Sequence, residues 1–209
     1  MAIDDLLDEH EQSERVLQWL RNNGAGLIGG IALGLAAIGG WKWWEHRGVA
    51  QQMAVADQYQ TAISAIEAKD KQADGKVKAM ADGTYRDLAA LELASSQVQA
   101  GQNDAAIATL RAVQSKDPAV AEIINQRLAR LLIESKQVDA ALKLVANATT
   151  PGALEVRGDA QYAAGQHEQA RTSYQQALAK LDVASPQRRL LELKLTEVGG
   201  KPAKPEAKS

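Results

Sequence analysis

Three histidines, His10, His46 and His167, are the side chains best suited to bind a metal or move a proton near neutral pH. Their spacing puts no two of them on one helical face, so they make no metal site. Cysteine is absent, which removes disulfides, thiolate nucleophiles and Cys-type zinc centres. The adjacent acids Asp4/Asp5 and Asp8/Glu9 could in principle hold a cation, but in a run without Lys or Arg they read as a solvated acidic segment. No GxSxG elbow, HExxH pair or phosphate-binding loop occurs. Gly26, Gly30 and Gly34 superficially resemble a phosphate fingerprint, but no strand precedes them. The chain reads as non-enzymatic, with no cofactor and no small-molecule substrate. Of the four tyrosines, Tyr174 falls at a packing position. Tyr162 falls on a helix expected to line a groove and is a candidate groove contact, with a core role as the alternative.

The element that holds the glycines explains them better. From Asn22 to Trp41 there are 20 consecutive uncharged residues. A helix of that length spans roughly 30 Å, the thickness of a bilayer's hydrocarbon core. Trp41, Trp43 and Trp44 around Lys42 suit the headgroup layer and serve as interface anchors, and Trp19 with Arg21 marks the other boundary. A cleaved signal peptide would have a basic start and a shorter apolar run, so an uncleaved anchor in the lipid bilayer is expected. Gly26, Gly30 and Gly34 recur every four residues, with Ala32, Ala36 and Gly40 as a second row. Such rows let another helix's backbone approach closely, so this face is the expected transmembrane helix contact. Arg15 and Arg21 on one side balance Lys42 and Arg47 on the other, so charge leaves the orientation open.

Beyond the anchor the pattern becomes helical and amphipathic. Val49, Met53, Ala56, Gln60, Ile63 and Ile66 fall at spacings of three and four. A polar break at Lys69–Gly75 and a short helix around Lys76–Ala81 follow. Self-similar blocks come next: Leu93-Ala94 with Gly101, Ala106 and Leu110; Leu128-Ala129 with Lys136, Ala141, Val145 and Ala148; Gly158 with Gly165, Ala170, Tyr174, Ala177 and Leu178. Each block has a small residue, a turn seven residues on, an alanine five later and a large apolar residue four beyond. The tetratricopeptide repeat has a comparable period of ~34 residues. Asp117-Pro118, Thr150-Pro151 and Ser185-Pro186 each place proline at an expected helix start. The last of these opens a closing helix, Pro186 to Val198.

The expected fold is all-α: a single N-terminal transmembrane helix, then a tetratricopeptide-like α-solenoid of antiparallel helix pairs. Residues 1–21 form an acidic segment, 22–44 the membrane helix, 45–198 the helical-repeat domain and 199–209 a disordered Lys/Pro-rich tail. A net charge of −2 argues against nucleic acid, which requires a basic face.

Several stretches carry a closer resemblance. They are the acidic N-terminus, the span ending in Gly39-Gly40-Trp41-Lys42-Trp43-Trp44, and Thr84-Tyr85 through Leu91-Glu92-Leu93-Ala94. Asn125 to Arg130 (NQRLAR) and Lys136-Gln137 with Asp139-Ala140-Ala141-Leu142 complete the set. With these the whole chain resembles the YfgM family, ancillary subunits of the bacterial SecYEG translocon; the Lys/Pro tail departs from it. The resemblance implies a single-pass inner-membrane protein, N-terminus cytoplasmic and repeat domain periplasmic. It implies the SecYEG translocon and the periplasmic chaperone PpiD as partners, unfolded secretory proteins as clients, and no catalytic residues. A scaffold for another envelope complex, in wall synthesis or division, and a folding catalyst are the competing readings.

Overall fold

A computed structural model describes the backbone of residues 2–202 and the side chains of residues 13–47 and 52–202. Among these residues there are nine helices and no strand, as the composition predicts. They are α1 Ala2–Glu67, α2 Ala73–Ala79, α3 Thr84–Gln99, α4 Asn103–Arg111, α5 Pro118–Glu134, α6 Val138–Leu144, α7 Pro151–Ala163, α8 His167–Lys180 and α9 Arg188–Glu197. The chain divides into two compact units, Met1–Ala54 and Val55–Ser209. The side chains of the acidic cluster Asp4, Asp5, Asp8, Glu9 and of His10 lie outside the described residues, as do residues 203–209 of the expected tail.

The first unit is helical throughout its described length, and its described side chains form no core of their own. Its apolar side chains face outward, Leu33 being 74% exposed and Ile28 71%. An 18-residue window there is apolar enough to cross a membrane, with none of it buried within the structure. An all-exposed apolar helix is unstable in water and suited to lipid.

The second unit is a run of helix pairs, α3/α4, α5/α6 and α7/α8. The turns inside the pairs are three residues each: Ala100–Gln102, Ser135–Gln137 and Ala164–Gln166. All three use one device. Gly101 (φ 73°), Lys136 (φ 60°) and Gly165 (φ 75°) adopt the left-handed conformation. The amide of the following glutamine then bonds back to a carbonyl five residues earlier: Gln102 to Gln97, Gln137 to Leu132 and Gln166 to Gln161, each at 2.8 Å. This closure satisfies carbonyls that the helix end leaves unpaired and turns the chain sharply. Lys69 with Asp70 and Gly199 with Gly200 close α1 and α9 in the same way.

The pairs are separated by six-residue links, Ala112–Asp117 and Val145–Thr150. Each link ends in the expected cap. The Asp117 carboxylate accepts from Ala119 N at 2.9 Å and Val120 N at 3.3 Å, and Thr150 Oγ1 accepts from Ala153 N at 3.3 Å. Ser185-Pro186 does not repeat this device. Ser185 Oγ donates to Gln187 Oε1 instead of capping an amide, a turn joins Arg188 N to Ser185 O, and the closing helix starts at Arg188, two residues late.

Packing follows the repeat register. Ala106, Ala141 and Ala170 are fully buried, and four residues on Leu110, Val145 and Tyr174 are nearly so. Burying one such large side chain contributes about 1.5–3 kcal/mol. Three core clusters result: one from the end of α1 through α3, one from α3 to α7, and one uniting α7, α8 and α9 through Leu154, Tyr174, Leu191 and Leu195. The stripe expected along α1 holds only in part. Ala62, Ala65 and Ile66 are buried with Tyr59 and Ile63 packed beside them, whereas Met53 and Gln60 are exposed. The helix expected at Lys76–Ala81 lies at Ala73–Ala79, with Ala73 and Val77 buried.

Candidate interaction surfaces

Gly26, Gly30 and Gly34 stand one above another on α1, as residues four apart must. A Cβ built on any of them meets nothing within 4 Å. The row is therefore an open strip of backbone, flanked by the exposed Leu27, Ile31, Leu33 and Leu35. Asn23, the polar residue at the start of the span, donates its side-chain amide to Trp19 O at 3.0 Å, which answers part of its hydrogen-bonding need within its own helix. At the other end Trp41 and Trp44 meet edge to face with centroids 5.9 Å apart, and the Arg47 guanidinium lies 4.4 Å from the Trp43 ring centre. Such a cation over an indole face covers apolar ring while keeping the charge at the aqueous boundary.

Tyr162 lies on α7 and is 38% exposed. Its hydroxyl donates to Glu197 Oε1 at 2.8 Å, and its ring meets His167 with centroids 5.2 Å apart. The Glu197 carboxylate accepting that proton holds the phenol above its usual pKa. Tyr162 thus ties α7 to α9, so the structure gives it a bracing role that its spacing did not suggest.

Behind it lies a polar network that sequence spacing did not reveal. Lys194 of α9 donates to Glu155 Oε1 at 2.6 Å and to both oxygens of Asp159 at 2.9 and 2.8 Å, and Tyr174 of α8 donates to Asp159 Oδ1 at 2.9 Å. Burial opposes the charge on Lys194, yet its hydrogen bonds to Asp159 and Glu155 and their attraction outweigh it and raise its pKa. Burial, then the negative Asp159, pushes the Tyr174 phenol far above its ordinary range. A parallel set runs through Arg157, which donates to Ser173 Oγ at 3.0 Å and Gln176 Oε1 at 2.7 Å while Ser173 donates to Gln161. These polar groups face one another across helix contacts and brace the last repeat. Glu155 and Lys194 lie 39 residues apart, beyond any periodicity signal; the one hint was acidic residues at 155 and 159, one turn apart.

Among the described residues no cluster of His, Asp and Glu could hold a metal ion. His46 lies near the exit of the span and His167 is taken up by the Tyr162 contact. The four tyrosines divide as follows: Tyr174 is core, Tyr59 and Tyr85 meet with rings tilted by 53° and centroids 5.4 Å apart, and Tyr162 braces α9. Sequence spacing also passed over Arg127 and Arg130 of α5, which rim an apolar groove facing α3.

Comparison with known proteins agrees with this architecture. Residues 17–200 match the family model described as a tetratricopeptide repeat-like domain. The chain is 30% identical over 200 residues to a protein of Escherichia coli strain K12 named ancillary SecYEG translocon subunit, covering 91% of this chain and 97% of that one. It is 26% identical over 182 residues to the protein of the same name from Haemophilus influenzae, covering 82% and 89% respectively. No solved structure gives a significant match.

Proposed function

Because this chain belongs to the family of ancillary SecYEG translocon subunits, with a tetratricopeptide repeat-like domain, we propose that it is a non-enzymatic adaptor at the bacterial Sec translocon. It is held in the inner membrane by one pass of α1, and its repeat domain makes protein–protein contacts. The observation that carries this reading is likeness to the Escherichia coli subunit along nearly the whole of both chains.

The finer assignment takes the N-terminus as cytoplasmic and the repeat domain as periplasmic. There the domain adjoins the chaperone PpiD and helps pass emerging secretory proteins to periplasmic chaperones. The open glycine row supports a lateral contact with another membrane helix, which would press its backbone against Gly26, Gly30 and Gly34. Trp41, Trp43 and Trp44 set the depth of the span, and the partly exposed Tyr162 is a candidate partner contact on the repeat domain.

Affinity purification of the tagged full chain from detergent-solubilised membranes tests the adaptor reading. SecY and PpiD should be recovered together; recovery of division or wall-synthesis proteins without either would overturn it. Protease added to spheroplasts should degrade the domain without lysis, and digestion only after lysis would reverse the orientation. Gly30→Leu with Gly34→Leu should lower SecY recovery several-fold, and unchanged recovery would remove the glycine face from the assembly.

A further inference from the structure

We propose that the groove between α3 and α5 is a docking site for an extended segment of a partner protein that sets an acidic side chain beside an apolar one. The proposal rests on reading the repeat domain as a protein-binding module. The groove encloses about 300 Å³ and is floored by Leu91, Ala94 and Leu131, with Val98 on its rim. Val98 is 39% exposed, so the apolar lining opens outward. That volume is at the small end of ligand clefts and holds a short run of side chains, not a whole helix.

Charge decides what the segment carries. Arg127 and Arg130 line the same groove, and no acidic side chain does. Arg86, Arg111, Arg157, Arg171 and Arg188 each engage a carboxylate, an amide oxygen or a hydroxyl. Arg127 and Arg130, like Arg189 of α9, make no hydrogen bond or ion pair among the described residues, but only they of the three line this groove. Three residues apart on one helix, their side chains start about 5–6 Å from each other. Two guanidinium forks at that spacing match a carboxylate placed between them, a pairing stronger than a neutral hydrogen bond. The other hollows lack this imbalance. The one near Asp82 mixes Arg86 and Lys116 with Asp82, Asp87 and Asp117, and in the one near Pro118 the Glu122 carboxylate is already bound by Gln126 and Thr150.

The test uses the full chain in neutral detergent and three fluorescent peptides with Leu-Glu, Leu-Gln or Leu-Lys repeats between Gly-Ser flanks, read by fluorescence polarisation. The Leu-Glu peptide should bind saturably, the Leu-Gln peptide at least tenfold more weakly, and the Leu-Lys peptide not at all. Arg127→Glu with Arg130→Glu should weaken Leu-Glu binding at least tenfold and admit Leu-Lys, while Lys180→Glu on exposed α8 should change nothing. Absence of Leu-Glu binding, equal binding of Leu-Lys, or retention by the double variant would each overturn the proposal. SecY recovery by the same double variant is a separate readout. Failure of the wild-type chain to recover SecY would sink the adaptor reading, whereas recovery with no peptide preference would sink only the groove.

Discussion

Gly158 should tolerate no side chain. It sits inside α7 at the point where α8 crosses, and a Cβ there would lie 2.5 Å from Tyr174 Cδ1 and 2.9 Å from Cζ, closer still to Cε1. Carbon contacts relax at about 3.5–4.0 Å, so the ring edge would have to recede by about 1 Å. The ring is poorly placed to do so. Tyr174 is 2% exposed, its hydroxyl is bonded to Asp159 at 2.9 Å, and Asp159 is held by Lys194. Overpacking of this kind costs about 1–3 kcal/mol, and stretching the buried hydroxyl from its acceptor adds about 1–3 kcal/mol. Alanine's better helix propensity returns about 1 kcal/mol. The expected net loss for Gly158→Ala is about 3 kcal/mol, or about 6–12 °C in Tm for a chain of this size.

Urea unfolding of the full chain in detergent, followed by far-ultraviolet circular dichroism, measures this. All four tryptophans lie between Trp19 and Trp44, so their fluorescence is a poor reporter of the repeat domain. Gly75→Ala is the control: Gly75 is also helical, but its built Cβ meets nothing within 4 Å, so the change should stabilise by about 0.5 kcal/mol. In a Tyr174→Leu background, which lacks the ring edge, Gly158→Ala should become neutral or favourable, a coupling of about 3 kcal/mol. If Gly158→Ala matched Gly75→Ala in sign, the close crossing of α7 and α8 would be refuted.

The turn device predicts opposite signs at equivalent places. Gly165→Ala should destabilise by about 1–2 kcal/mol because its φ is 75°, whereas Lys136→Gly should stabilise by up to about 1 kcal/mol at φ 60°; a shared sign in denaturation would contradict the common geometry. Lys194→Met strands the half-buried carboxylates of Glu155 and Asp159 and should cost about 1–3 kcal/mol, with faster hydrogen exchange in α9 than in α3. Alkaline pH should destabilise the domain, because the folded state holds the Tyr174 and Lys194 protons more tightly than the unfolded chain. Their stabilisation is complete below about pH 10, the ordinary range of both groups, and is lost as pH rises toward the raised folded values. Unfolding free energies from urea curves between pH 8 and 11 should therefore fall above about pH 10, by up to about 1.4 kcal/mol per pH unit per group. Tyr174→Phe should flatten that fall, and an unchanged slope would mean the phenol is not held by Asp159.

What the sequence made legible is what one helix or one turn decides. Gly101 and Gly165 had to be turns because a left-handed residue ends a helix most cheaply as glycine, and the spacing then marked Lys136 as the third. Ala106, Ala141 and Ala170 had to be buried because only a small residue fits where paired helices cross. Ser185-Pro186 misled because a local signal there was overridden by a tighter local turn. Met53 and Gln60 misled because a period of 3.6 names a face but not where along the helix that face finds a partner. The Lys194 network was invisible for a different reason: Lys194 reaches Asp159 and Glu155 only through tertiary packing, 35 and 39 residues away.

The same division explains why the contact surfaces are harder to read than the scaffold. In Asn125 to Arg130 the core positions Leu128 and Ala129 announce themselves by type, while Arg127 and Arg130 resemble any solvated charge. Their distinction appears only when α3 brings an apolar floor beside them and no acid comes with it. An adaptor can leave such groups bonded only to water until its partner arrives. The residues least explained by the fold are therefore the ones where partner binding should be sought.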